Sequence, residues 1–186
     1  MTTGMLRSWA TWTAGFLAFP IAGVAAKAIA GPLDDLVAAL LGGAVTGLVI
    51  GAGQSIAARG AVPPARWIPA TTLGIAVGLA LAATVVDYRT TLADLALMGV
   101  LTGVPLGAAQ ALALPRRRWL WATTTPILWG LGWTVTTSLG IDVGTQYTIF
   151  GSTGAIVFSA LSGLGLVVLV HSERSGIEKR PALNRT

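Results

Sequence analysis

Two glutamines stand inside apolar stretches of this chain and are its first candidates for chemistry. Gln54 closes the segment GAVTGLVIGAGQ (43–54) and Gln110 closes GVLTGVPLGAAQ (99–110), two segments identical at six of twelve positions. A side-chain amide carries donors and an acceptor that hydrocarbon cannot satisfy, and leaving them unpaired costs several kcal/mol, so each amide must find partners. On a helix Gly43, Gly47, Gly51 and Gln54 fall on one face, and Gly99, Gly103, Gly107 and Gln110 repeat that stripe. Such amides either converge on a shared ligand near an axis or bond Thr hydroxyls and carbonyls of neighbouring helices. Thr46 and Thr102 share these stretches, and each can bond the carbonyl four residues back.

The carboxylates admit two readings. Asp34, Asp35 and Asp94 precede returning helices and Asp142 lies a few residues before the last, where a carboxylate caps free amides and suits the positive helix end. The sharper reading is an outer vestibule ringed by acids that attracts cations. Asp94, following Thr90-Thr91, lies closest to the apolar boundary. Trp129 and Trp133 are four apart on one face of the fifth apolar segment, after Pro126. They either wall a pocket for an apolar ring-bearing or isoprenoid ligand or fill the bundle where glycines leave room. Trp9, Trp12, Trp67, Trp119 and Trp121 sit near one interface, as an aromatic belt does.

Catalytic and metal signatures are missing. His171, the single histidine, ends the last apolar segment beside a charged tail and has no acidic or Cys partner nearby, so it reads as solvated. The sequence holds no HExxH, P-loop or GxSxG motif. With no cysteine, thiolate chemistry and Fe–S clusters are excluded. The binding candidates are therefore Gln54, Gln110, Thr46, Thr102, Trp129, Trp133 and Asp94, with no catalytic set, no metal site and no identified cofactor.

The elements that must position these residues are membrane helices. Of 186 residues, 54% are hydrophobic and 10% charged, and the mean hydropathy is +0.75. A soluble domain averages about 25% charged residues; this chain lacks the charge to cover a water-facing surface and reads as an all-α integral membrane protein. Six apolar segments lie at about 9–30, 35–57, 67–86, 93–114, 119–140 and 146–170, in one membrane domain (1–186) with a polar tail at 171–186. Gly31-Pro32, Pro63-Pro64, Pro115 and Gly144 punctuate them. The first segment imitates a secretory signal, with Arg7 before it and Ala26-Lys27-Ala28 near its end, but its length fits a span. Pro105 is expected to break the fourth helix and free the carbonyl of Leu101, a kink that either widens a cavity or is absorbed by Thr102 and a neighbouring helix.

Charge sorts by side. If every segment spans, Arg7, Arg59, Arg66, Arg116, Arg117, Arg118, Arg174, Lys179, Arg180 and Arg185 share one side, and only Lys27 and Arg89 fall on the other. Ten against two puts both termini in the cytoplasm, an N-in/C-in topology. All five Asp lie outside and both Glu, 173 and 178, inside. The net charge of +5 thus reads as topology signal and anionic-lipid contact, and no nucleic-acid partner is expected.

The segments also repeat. Arg66-Trp67 with Ala70-Thr71-Thr72 recurs as Arg118-Trp119 with Ala122-Thr123-Thr124, and Trp9-Ala10-Thr11-Trp12 is a looser version. The third return, Gly151-Ser152-Thr153-Gly154, keeps the Thr-Gly pair but has Leu161 where Gln54 and Gln110 align. The expected architecture is three sequential helical hairpins, at about 9–57, 67–114 and 119–170, about a pseudo-threefold axis.

The combination of FPIAG (19–23), GPLDD (31–35), GGxxTGxxxGxxQ (42–54), RWxxATT (66–72), MGVLTGVPLGAAQALALP (98–115) and TPxLWGLGW (125–133) resembles a group of small Gly- and Trp-rich polytopic membrane proteins of bacteria, especially actinobacteria. The likeness covers Trp9 to Val170. It implies a bacterial cytoplasmic (inner) membrane and brings no activity with it. The expected function is non-enzymatic: binding or transport of a small or lipophilic solute within a glycine-lined bundle, hairpins rocking across the glycine seams if it transports. A second expectation is a structural or accessory subunit of a membrane complex, its glycine stripes turned to a membrane-protein partner or a second copy. A third is a membrane enzyme acting on a lipid or isoprenoid, with Asp94 or Asp142 as the acid. Membrane lipids are partners in all three.

Overall fold

The computed structural model describes residues 2–114, 118–140 and 148–178, with side chains as far as Val167, and is all-helical. Pro115, Arg116, Arg117, Asp142, Gly144 and the tail beyond 178 lie outside the described residues, as do the side chains of His171, Glu173, Arg174 and Glu178. The elements are α1 (Thr3–Ala14), a short 3-10 turn (Gly15–Leu17), α2 (Ala18–Ala30), α3 (Leu36–Ala57), α4 (Pro64–Val85), α5 (Leu92–Ala113), α6 (Arg118–Ser138) and α7 (Ser152–Glu178). The 3-10 turn keeps right-handed helical angles on both flanks, so α1 and α2 run on as one rod, Thr3–Ala30. That rod begins six residues before the expected first segment, because Thr2 caps it by accepting from the Met5 amide.

Local chemistry sets the other starts. Asp35 Oδ1 accepts the Ala38 amide at 2.7 Å and opens α3. Pro64 occupies the first turn of α4, where its missing N–H is no loss. Thr91 Oγ1 accepts the Asp94 amide at 3.2 Å and opens α5. Gly31, at φ 79°, supplies the left-handed residue that ends α2.

Four of the rods, Thr3–Ala30, Leu36–Ala57, Pro64–Val85 and Leu92–Ala113, are long and apolar enough to cross a membrane. Six were expected. In α6 the run of Thr and Gly lowers the hydropathy of a helix of comparable length, and the described apolar part of α7, Ser152–Val167, is short.

The six rods pack in chain order, and α7 returns to α1, which closes a ring; among the described residues no backbone contact crosses it. Glycine makes the close seams. A Cβ on Gly43, Gly47 or Gly51 would lie 2.8, 2.6 or 3.1 Å from the Cα of Ala76, Thr72 or Ile68 on α4. Gly99, Gly103 and Gly107 meet Gly130, Pro126 and Ala122 of α6 in the same way, and Gly74 and Gly78 of α4 meet Leu106 and Thr102 of α5. Both stripes therefore face the chain's own helices. The α5 helix continues through Pro105, contrary to the expected break. At that level it is clasped on one side by Gly74 and Gly78 and on the other by α6 against Gly103, which leaves the freed turn no room to open.

Inside the ring are two apolar layers. One holds Trp12, Val62, Trp67, Trp121 and Leu166; the other holds Phe19, Ile50, Leu106, Trp129, Phe150 and Phe158 among others. The outer face is studded with exposed Leu, Ile and Val, including Val24, Val37, Ile56, Leu73 and Leu112, far more apolar surface than a water-soluble monomer leaves uncovered.

Candidate functional site

Three tryptophans from alternate rods meet inside the ring. Trp12 of α1, Trp67 of α4 and Trp121 of α6 are buried, and their ring centroids lie 6.0, 6.1 and 5.5 Å apart, each pair edge to face. That is the geometry that aligns a positive ring edge with a negative face. An indole has a single donor, and burial obliges it to find an acceptor. Trp67 Nε1 donates to Gln54 Oε1 at 3.0 Å. Trp121 Nε1 donates to Gln110 Oε1 at 2.9 Å, and Trp12 Nε1 to Ser162 Oγ at 3.0 Å. In every case the acceptor sits on the rod that precedes the donor around the ring: α3 before α4, α5 before α6, α7 before α1.

The glutamines do converge, on each other and on these indoles. Gln110 Nε2 donates to Thr71 Oγ1 at 2.9 Å and, more weakly, to Gln54 Oε1 at 3.4 Å. Thr71 and Thr125 in turn donate to the carbonyls of Trp67 and Trp121, at 2.8 and 2.7 Å. Trp9 adds a bond from its Nε1 to the Ala160 carbonyl at 2.9 Å. Gln54, Gln110, Thr71, Trp67 and Trp121 thus form one linked polar cluster in an apolar interior, and the Trp12–Ser162 bond stands apart from it.

Two details depart from the expected correspondences. Spelling matches Trp67 with Trp119, yet Trp119 is 66% exposed, and Trp121, two positions on, takes the buried role. Leu161, which stands where Gln54 and Gln110 align, is exposed, and the neighbouring Ser162 accepts the third indole.

The remaining candidates lie elsewhere. Thr46 Oγ1 pairs with Thr148 Oγ1 at 2.6 Å instead of the carbonyl four residues back, and the buried Thr102 Oγ1 has no hydrogen-bond partner among the described residues. The expected back-bond forms instead at Thr71, Thr72 and Thr84 of α4 and at Thr123, Thr124, Thr125, Thr134 and Thr137 of α6. Trp129 and Trp133 are buried in the second layer, where phenyl rings lie against them. Trp129 meets Phe150 and Phe158 at centroid distances of 5.0 and 5.1 Å, and Trp133 meets Phe150 at 6.0 Å.

Asp94 stands at the far end of α5 from Gln110, about 24 Å along the helix at 1.5 Å per residue. Its Oδ2 accepts from Thr91 Oγ1 at 2.6 Å and its Oδ1 from Arg89 Nη2 at 3.2 Å. Asp94 therefore does not cap α5: the N-cap is Thr91, and the Asp94 carboxylate lies in the first turn, paired with Arg89. No group of three His, Cys, Asp or Glu that could hold a metal occurs among the described residues.

Two grooves open on the flanks of the ring, and neither was foreseen. The first runs between α6 and α7, with a volume of about 390 Å³ and walls that include Leu120, Trp121, Leu128, Leu161 and Ser162. The second, also of about 390 Å³, lies between the first rod and the end of α3, against Thr11, Leu17, Ile21, Gly53, Ile56 and Arg59. The chain matches no protein-family model, no curated protein and no solved structure.

Proposed function

We propose that the chain is a six-span membrane protein of three hairpins about a pseudo-threefold axis, N-in and C-in, that binds an uncharged lipophilic molecule without transforming it. The site is the groove between α6 and α7. Support for the spans comes from the apolar outer face and from the ends of the ring. Arg7, Arg59, Arg66 and Arg118 gather at the end nearer the tryptophan layer, while Asp34, Asp35, Asp87 and Asp94 gather at the other. Support for the pseudo-threefold comes from the thrice-repeated donation of an indole to the preceding rod.

One observation carries the binding reading: Trp121 and Ser162, which help close the centre of the ring, also line the α6–α7 groove. The centre itself is filled by aromatic rings, so a ligand enters from the flank. The leucine walls and one indole suit a molecule that is apolar or ring-bearing. The accessory-subunit reading draws less support, because the glycine stripes it would turn to a partner are pressed against the chain's own backbone.

The test uses Gly165, a groove residue at which an added Cβ meets nothing within 4 Å. The G165L variant fills the groove without disturbing the seams. A lipophilic diazirine probe is expected to label α6 and α7 in the parent protein and to lose that labelling in G165L at unchanged melting temperature. Equal labelling in both would overturn the assignment.

A further inference from the structure

The second groove differs from the first in having a cation in its wall, and we infer that it holds one anionic phospholipid of the surrounding leaflet. Its floor is made of small residues: Gly15 packs on Ala57, and Gly53 on Ala18. Leu17, Ile21 and Ile56 stand up beside it, and Ile56 is 79% exposed. The result is a narrow apolar trough that suits a hydrocarbon chain.

One end of the trough is basic. Arg59 lines it directly, and Arg7 precedes the lining residue Thr11 by four positions, one helical turn away on the same face. Both arginines are exposed, and neither pairs with an acid among the described residues. Among the residues whose side chains are described, the acids Asp34, Asp35, Asp87 and Asp94 lie at the opposite end of the ring. Arg59 also holds φ 47° just before Gly60 at φ 87°. The left-handed region disfavours a residue with a Cβ, and here it turns the chain sharply out of α3 with an arginine at the mouth of the trough.

Guanidinium groups bind phosphate oxygens in a fixed fork geometry. A phosphodiester at Arg7 and Arg59 with one acyl chain in the trough satisfies both halves of the site, which a free phosphate or a wholly apolar molecule does not. This inference rests on the membrane reading and not on the ligand of the α6–α7 groove.

Native mass spectrometry of the delipidated full chain tests it, with phosphatidylglycerol and phosphatidylcholine of identical acyl chains as probes. Phosphatidylglycerol is expected to give a single retained adduct at several-fold lower lipid concentration than phosphatidylcholine. The double variant R7Q/R59Q should remove that difference, and A14F, which fills the trough from an exposed position, should weaken both adducts. R89Q, at the other end, should leave the preference intact, and so should G165L, which separates this site from the first groove. Equal affinity for the two lipids, or an undiminished preference in R7Q/R59Q, would overturn the proposal. Displacement by millimolar inorganic phosphate alone would make the site one for the free ion, and a dimer that excludes lipid would make it a contact between copies; either result also overturns it.

Discussion

The indole N–H of Trp67 donates to Oε1 of Gln54 across 3.0 Å, linking the start of α4 to the end of α3 inside the ring. The same oxygen accepts Gln110 Nε2 at 3.4 Å, so one amide joins α3, α4 and α5. Removing it strands a buried indole donor, which costs about 1–3 kcal/mol. Q54L is therefore expected to lower stability by that order. Q110L should cost more, since Gln110 also holds Trp121 and Thr71. Because the two share a bond, the double variant should lose less than the sum of the singles. Thermal unfolding in detergent, followed by tryptophan emission, measures all three.

A second pair of variants separates position in the sequence from position in the ring. W121F removes a donor to Gln110 and two edge-to-face contacts, and is expected to cost on the order of 2 kcal/mol. W119F alters an exposed ring and should change the melting temperature by little. Equal effects would mean that the buried layer is wrongly drawn.

Two threonines of similar setting should respond in opposite directions. T46V leaves the Thr148 hydroxyl without its partner at 2.6 Å and should destabilise by about 1 kcal/mol. T102V deletes a buried hydroxyl that has no partner among the described residues and is expected to be neutral or stabilising. The two melting temperatures, compared side by side, decide it.

The seams predict a contrast among glycines. G47A places a methyl 2.6 Å from the Thr72 Cα, a backbone atom that cannot swing aside, and should cost about 1–3 kcal/mol by overpacking. At Gly165 the same change meets open space and should stabilise its helix by about 0.5–1 kcal/mol. Denaturation midpoints for the two alanine variants provide the measurement.

Much of the helical layout was legible because apolar runs, capping residues and glycine spacing are local signals. The faces of Gly43, Gly47, Gly51 and Gln54 followed from helical period alone. What escaped was phase between stretches of matching sequence. Matching Arg66-Trp67 to Arg118-Trp119 aligned letters, but residues two apart on a helix differ by about 200° in direction, so with Trp121 turned inward Trp119 points out. Spacing also placed Trp129 and Trp133 on one face without saying what would press on it; Phe19, Phe150 and Phe158 arrive from distant stretches. Thr46 likewise has its partner about a hundred positions on, at Thr148. At Asp94 the cap was assigned to the wrong residue: Thr91, three positions earlier, caps α5 and accepts the Asp94 amide. The gap between six expected segments and four strongly apolar rods arises in α6, where tryptophans and threonines dilute the hydropathy, and in α7, whose described apolar part is short.

Ring closure through α7 bears on how the protein is made. Trp9 and Trp12 emerge early in synthesis, yet their acceptors, the Ala160 carbonyl and the Ser162 hydroxyl, arrive about 150 residues later. Until then the opening rod has two unsatisfied indoles and an open flank, and every intermediate length of chain is an incomplete circle. The ring closes only when α7 docks against α1, which leaves the nascent ring open to misassociation until that helix has been made.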